Sequence, residues 1–157
     1  MGSFCYYLVG VNLSYSLITE KDPYYPERTD MTRLMRKLVT SWYDILDEQG
    51  FEVDIIIQEK QLFWNVDENW FQRIIDNVIQ NVVRHASDGD FIGVYMNHEE
   101  GTIAIVDHRP GFQNTHSPNK GVGIGLSIIA VMAKEMDIEW RIESDDTGAT
   151  FIFKKLV

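Results

Sequence analysis

A chain of 157 residues can build one hydrophobic core and carry a small appendage. Its net charge of −10 argues against nucleic acid as a partner, because phosphate backbones call for a basic footprint. Hydrophobic residues at 45% and charged residues at 24% are an ordinary globular balance, and the one cysteine, Cys5, excludes an internal disulfide and a cysteine-rich metal site.

Met1-Gly2-Ser3 reads as a tag remnant. Phe4 to Ile18 reads as a helix that is apolar on most of its surface. Such a helix wants a partner, and it falls short of the roughly 20 residues that a membrane span needs. Asp22-Pro23 and Pro26 end it and mark the one boundary between segments. Asp30 is placed to cap a second helix running to about Gln49, with Met31, Leu34, Met35, Leu38, Trp42, Ile45 and Leu46 as its apolar stripe. Gly50 stops it. Phe51 to Ile57 alternates as a strand with one mainly polar face, and Gln61 to Val66 reads as a short second strand.

Asp67 can cap the next helix, whose centre is Arg73 to Ala86. Ile74, Ile75, Val78, Ile79, Val82 and Val83 form its apolar stripe. Asn77, Asn81 and His85 lie one turn apart on a second face, with Arg84 beside them. An outward face normally carries Lys and Glu. Here its carboxamides either bond a neighbouring loop or serve as hard, neutral oxygen ligands suited to Mg²⁺, and Arg84 can reach a phosphate.

Ser87 to Asp90 is a turn. Phe91 to Asn97 and Thr102 to Val106 are strands joined around Glu99-Glu100-Gly101, and a loop is expected from Asp107 to Lys120. Asp107 stands where a strand ends at a tight turn. It either stabilises that turn or accepts a hydrogen bond from an amino group such as the one adenine offers, where guanine would present an acceptor. Gly121 to Met136 reads as a helix that opens on Gly121-Val122-Gly123-Ile124-Gly125-Leu126. Glycines allow close backbone approach, and a helix start offers N–H groups and a positive dipole end, so the stretch suits phosphate or is a flexible loop. It matches neither a Walker loop nor a dinucleotide fingerprint. Ile138 to Glu143 and Thr150 to Lys155 are the last strands, turning at Asp145-Asp146-Thr147-Gly148. Helices and short strands in this order predict an α+β fold, a two-layer α/β sandwich with a mixed sheet and helices on one face.

An Asn-bearing helix, then Asp-x-x-x-Gly, then Gly-x-Gly-x-Gly-Leu, resembles the catalytic ATP-binding domain of bacterial sensor histidine kinases. That Bergerat-type fold is shared with gyrase, a heat-shock chaperone and mismatch-repair ATPases. The resemblance covers Asp30 to Lys155 and places the catalytic domain at residues 30–157. It implies that Asn81 binds Mg²⁺ and that Asn77 and Arg84 act in catalysis. Asp107 would read adenine, and His85, Gly111, Gly121, Gly123, Gly125, Leu126 and Thr150 would contact the nucleotide. Gly148-Ala149-Thr150-Phe151 resembles the family's last motif, Gly-Thr-x-Phe.

Three departures stand out: Arg109 where the family has Gly, Ala149 where it has Thr, and a short lid from Phe112 to Lys120. They leave room for a degenerate module of the same fold that binds no nucleotide. An anti-sigma-type serine kinase is a further alternative. Hydrolysing relatives carry a Glu general base where Asn77 stands, and Asn cannot accept that proton, so the resemblance favours transfer to a histidine. None of His85, His98, His108 and His116 lies on an exposed dimerisation helix as the sequence reads. The resemblance therefore implies that residues 4–22 are the tail of a dimerisation or linker helix, and that the acceptor histidine lies on a part absent from this fragment. The fragment would not phosphorylate itself alone. ATP, a phosphoacceptor domain, a response regulator and a homodimer are the implied partners, in the cytoplasmic portion of a membrane-bound sensor.

Overall fold

Asp30 ends one element and begins the next. In the computed structural model, which describes residues 23–84, 90–108 and 122–156 (122–125 by backbone alone), strand β1 is Glu27–Asp30 and helix α1 is Met31–Glu48. Asp30 Oδ1 accepts the N–H of Thr32 at 3.1 Å, satisfying a donor that the helix leaves unpaired. Gly50, at φ +83°, follows the far end. Strand β2 is Glu52–Ile56, β3 Phe63–Val66, helix α2 Glu68–Arg84, β4 Phe91–Asn97 and β5 Thr102–His108. Helix α3 is Val122–Glu135, β6 Ile138–Asp145 and β7 Gly148–Lys155.

Five strands form one sheet in the order β2-β4-β5-β7-β6. β2 runs parallel to β4, and the other pairs are antiparallel. The parallel pair needs a crossover, which α2 supplies. The sheet is mixed and its inner face is covered by helices, as the sequence predicts. That face carries Ile92, Val94, Ile103, Ile105, Phe151 and Phe153, all buried. Trp70, Phe71, Ile74, Ile75, Val78 and Ile79 of α2 are buried in the same core. Burying such side chains contributes about 1.5–3 kcal/mol each.

Several expectations change. β1 was not foreseen: Glu-Arg-Thr-Asp has no apolar alternation, and it becomes a strand by pairing with β3 in a second, two-stranded sheet. Ile45, expected in the stripe of α1, is 43% exposed, because the core side of the helix passes from Leu38 to Leu46. β5 does not stop at Val106 but continues through Asp107 and His108, both paired to β4 and β7, so the loop expected at Asp107 starts later. β6 and β7 likewise extend to Asp145 and Gly148, which shortens their turn. The helix at Phe4 to Ile18, the turn at Ser87 to Gly89 and the lid at Phe112 to Lys120 lie outside the described residues.

Candidate functional site

Helix α2 begins on a buried carboxylate. Asp67 Oδ1 accepts the N–H groups of Asn69 at 2.9 Å and Trp70 at 3.1 Å, which is the capping the sequence predicts. Further along, Asn77 and Asn81 lie one turn apart and half-buried beside the stripe. They are held differently. Asn77 donates Nδ2 to the carbonyl of Arg73 at 2.7 Å. Asn81 Oδ1 is buried and accepts no hydrogen bond among the described residues. Buried polar atoms are nearly always satisfied, so an orphan of this kind points to a ligand. A neutral carbonyl oxygen suits Mg²⁺, and the fit is therefore good. Arg84 closes the helix as an exposed cation in its last turn, where the dipole favours it.

Asp107 comes to the site from β5. Ile103, Ile105 and Asp107 share the inner face by simple alternation, so a carboxylate occupies a position that the pattern would give to an aliphatic side chain. It is 2% exposed. Its Oδ1 accepts the backbone N–H of Ala149, its register partner on β7, at 2.8 Å. Gly148 makes that approach possible. It has φ +155°, and a Cβ there would stand 1.9 Å from the carbonyl oxygen of Asp107.

The same register bears on Thr150. Thr150 pairs with Val106 and Glu143, whereas Ala149 pairs with Asp107 and Ser144. Neighbouring residues of a strand point to opposite faces, so Thr150 turns away from Asp107. The structure thus does not bring Thr150 to the carboxylate. Sequence reading missed the Ala149 N–H, because a backbone donor leaves no trace in residue type. It also missed Ser144 on the same face, which no single-strand pattern marks.

Gly123 and Gly125 lie within the first turn of α3 and not in a loop before it. Leu126 packs against the core. His85, Gly111 and Gly121 are outside the described residues. His98 sits in the β4–β5 turn with Nε2 2.9 Å from Thr32 Oγ1, which itself donates to the carbonyl of Lys60 at 2.6 Å, so Nε2 is the donor. His108 stacks on Phe91 at 5.1 Å. Neither lies on a helix. Among the described residues no cluster of His, Cys, Asp and Glu could hold a metal, and no helix is long and apolar enough to cross a membrane.

Residues 66–156 match the model of the histidine kinase-, DNA gyrase B- and HSP90-like ATPase family. The chain belongs to that family. The match takes in α2, β5, α3 and β7, the elements that carry the two Asn residues, Asp107 and Gly148. Among curated relatives, the sensor histidine kinase YbdK of Bacillus subtilis (strain 168) is 28% identical over 129 residues, covering 82% of this chain and 38% of its own length. The sensor histidine kinase YcbM of the same organism is 24% identical over 150 residues, covering 82% of this chain and 48% of its own. The chain thus spans less than half the length of these relatives. The cytoplasmic segment of the histidine kinase QseC shares the fold, with a TM-score of 0.71 at 16% identity over 96% of this chain and 94% of that one. The nucleotide-free catalytic domain of the histidine kinase ThkA superposes with a TM-score of 0.68 at 16% identity, covering 82% and 93%. This ATPase-family domain is of the ATP-binding catalytic kind that histidine kinases carry.

Proposed function

We propose that this domain binds Mg²⁺-ATP and transfers the γ-phosphoryl group to a histidine on a dimerisation helix of the full-length sensor, for relay to a response regulator. The observation that carries the reading is the buried Oδ1 of Asn81, without a partner among the described residues, on the face it shares with Asn77. Asn81 would hold Mg²⁺, which when bound neutralises phosphate charge. Asp107 accepts a hydrogen bond from the adenine amino group with its carboxylate oriented by Ala149 N–H. The backbone N–H groups at the start of α3 face the phosphates, and Arg84 offsets their charge. Asn77 has no basic group to activate water, which favours transfer over hydrolysis. As the acceptor nitrogen bonds to the γ-phosphorus, the bond from that phosphorus to the bridging oxygen breaks and ADP leaves.

The domain would work in the cytoplasmic part of a membrane-bound homodimer, with residues 4–22 joining it to the dimerisation helix. Titration calorimetry of ATP with and without Mg²⁺, on this chain and on Asn81→Ala, tests the reading. Mg²⁺-dependent binding that Asn81→Ala abolishes is the expected result. A folded wild-type chain that ignores millimolar ATP would replace the reading with a degenerate interaction module, for which Ala149 in the last motif is the favouring observation.

A further inference from the structure

The residues ahead of β1 are attached to α2 by its own capping carboxylate. Asp67 is 5% exposed, and its two oxygens serve different parts of the chain. Oδ1 caps α2 through Asn69 and Trp70. Oδ2 accepts the backbone N–H of Tyr25 at 2.7 Å, from 42 residues earlier. Beside it, the ring of Tyr24 lies 4.8 Å from that of Trp70, tilted by 47°. Burial, and then the carboxylates of Glu135, Asp137 and Asp67, push the Tyr24 phenol up from its ordinary range. Tyr24 therefore lies between the start of α2 and the end of α3.

Both helices present their other ends to the candidate site. The C-terminal half of α2 carries Asn77, Asn81 and Arg84, and the first turn of α3 carries the glycines. The segment at residues 23–26 is also incompletely packed. A cavity of about 370 Å³ opens against it, lined by Pro23, Tyr25, Thr29, Val66 and Asp67 among others. Tyr25 itself is 70% exposed. Among the described residues, lifting this segment gives up the Tyr25–Asp67 hydrogen bond and the packing of Tyr24 on Trp70 and the edge of the core.

We infer that residues 23–26 form a strap that sets the seating of α2, with Asp67 as the positioning residue that couples the chain upstream to the Asn face of that helix. Tension on the strap withdraws Tyr25 N–H from Oδ2 and disturbs the cap on the same carboxylate. A helix moves as a rigid rod, so a shift at its cap reaches Asn81. The consequence for nucleotide rests on the ATP-binding reading above, but the mechanical link does not.

The test uses the full 157-residue chain and three variants. Asp67→Ser keeps a good capping oxygen and cannot also reach the strap. Tyr25→Pro removes the N–H and an exposed ring, and also narrows the backbone at residues 24 and 25. Tyr24→Ala removes the ring contact. Hydrogen exchange is followed at the amides of 77–84 and of β5, together with Mg²⁺-ATP affinity. The expected result is exchange about tenfold faster at 77–84 with β5 unchanged, and affinity weaker by about threefold. Faster exchange confined to the first turn of α2 overturns the inference. Equal acceleration in β5 also overturns it, since that reports lost stability and not helix seating. If the wild-type chain binds no ATP, the kinase reading fails while the exchange data still decide the strap.

Discussion

The Oδ1 atom of Asp107 lies 2.8 Å from the backbone nitrogen of Ala149 and accepts its hydrogen. The family motif has a threonine hydroxyl where this chain has a methyl group. Here a main-chain donor takes up part of the orienting task, so the loss of that hydroxyl does not leave the carboxylate unheld. Asp107→Asn can keep the Ala149 bond through its own Oδ1, but presents an amide N–H₂ where the proposed adenine would bring its amino group. The fold should survive. Affinity for ATP should fall about tenfold to a hundredfold, the range expected for a lost hydrogen bond to a charged group, while GTP gains relative to ATP. Competition calorimetry with both nucleotides checks this, and an unchanged ATP preference would remove Asp107 from the base site.

Thr150→Val probes the register of β7. Thr150 lies one place beyond Ala149 and on the opposite sheet face. ATP affinity should therefore stay within about twofold of wild type. A larger loss would mean that the hydroxyl reaches the nucleotide, and that the pairing of Asp107 with Ala149 is not kept in solution.

Gly148→Ala should be severe. Its Cβ would meet the Asp107 carbonyl at 1.9 Å, and φ +155° is already strained for an L side chain. Central strands would have to part, so a loss of at least about 2 kcal/mol is expected. Urea unfolding measures it. The control is Gly101→Ala, where φ is +70° but nothing lies within 4 Å of the added carbon, so the cost is only the backbone strain.

Trp42 and Asp76 tie α1 to α2, with indole Nε1 donating to Asp76 Oδ1 at 2.7 Å. Trp42→Phe keeps most of the apolar contact and removes the donor. A loss of about 1–2 kcal/mol is expected, read as a lower urea midpoint. Adding Asp76→Ala to Trp42→Phe should then cost less than it does in the wild-type background.

Tyr95 supplies a pH signature on the outer sheet face. Its hydroxyl donates to Asp54 Oδ2 at 2.9 Å. Burial first, and then that bond and the Asp54 charge, raise the phenol above its ordinary range. The raised value means that neutral Tyr95 contributes stability fully below the unfolded value of about pH 10, and that the contribution fades as pH rises through the folded value. Tyr95→Phe should thus differ from wild type by a constant amount at neutral pH, and the gap should shrink in unfolding curves taken above about pH 10. A gap that stays constant there would separate the hydroxyl from that contribution.

Much of the architecture was written in local chemistry. The apolar stripe of α2 has a period only a helix satisfies, and Asp30 and Asp67 announce the helices they cap. Asn77 and Asn81 were visible because carboxamides on an outward helix face are out of place there. Asp107 was visible at a strand end, although its strand proved to run past it. β1 was not legible, since four polar-rich residues become a strand only when β3 lies alongside. Nor was the exposure of Ile45, which depends on where the core stops.

The sequence by itself determined the order of the elements after β1, the capping residues and which side chains of α2 face inward, because periodicity and capping act over a few neighbouring residues. Only the tertiary structure decided that Asp107 meets Ala149 and not Thr150, that Asn81 buries an oxygen with no partner among the described residues, and that Asp67 holds Tyr25. Each of these joins segments far apart in the chain. A shift of one residue in strand pairing turns every side chain to the other face, and register is settled by the packing of the whole sheet against its helices.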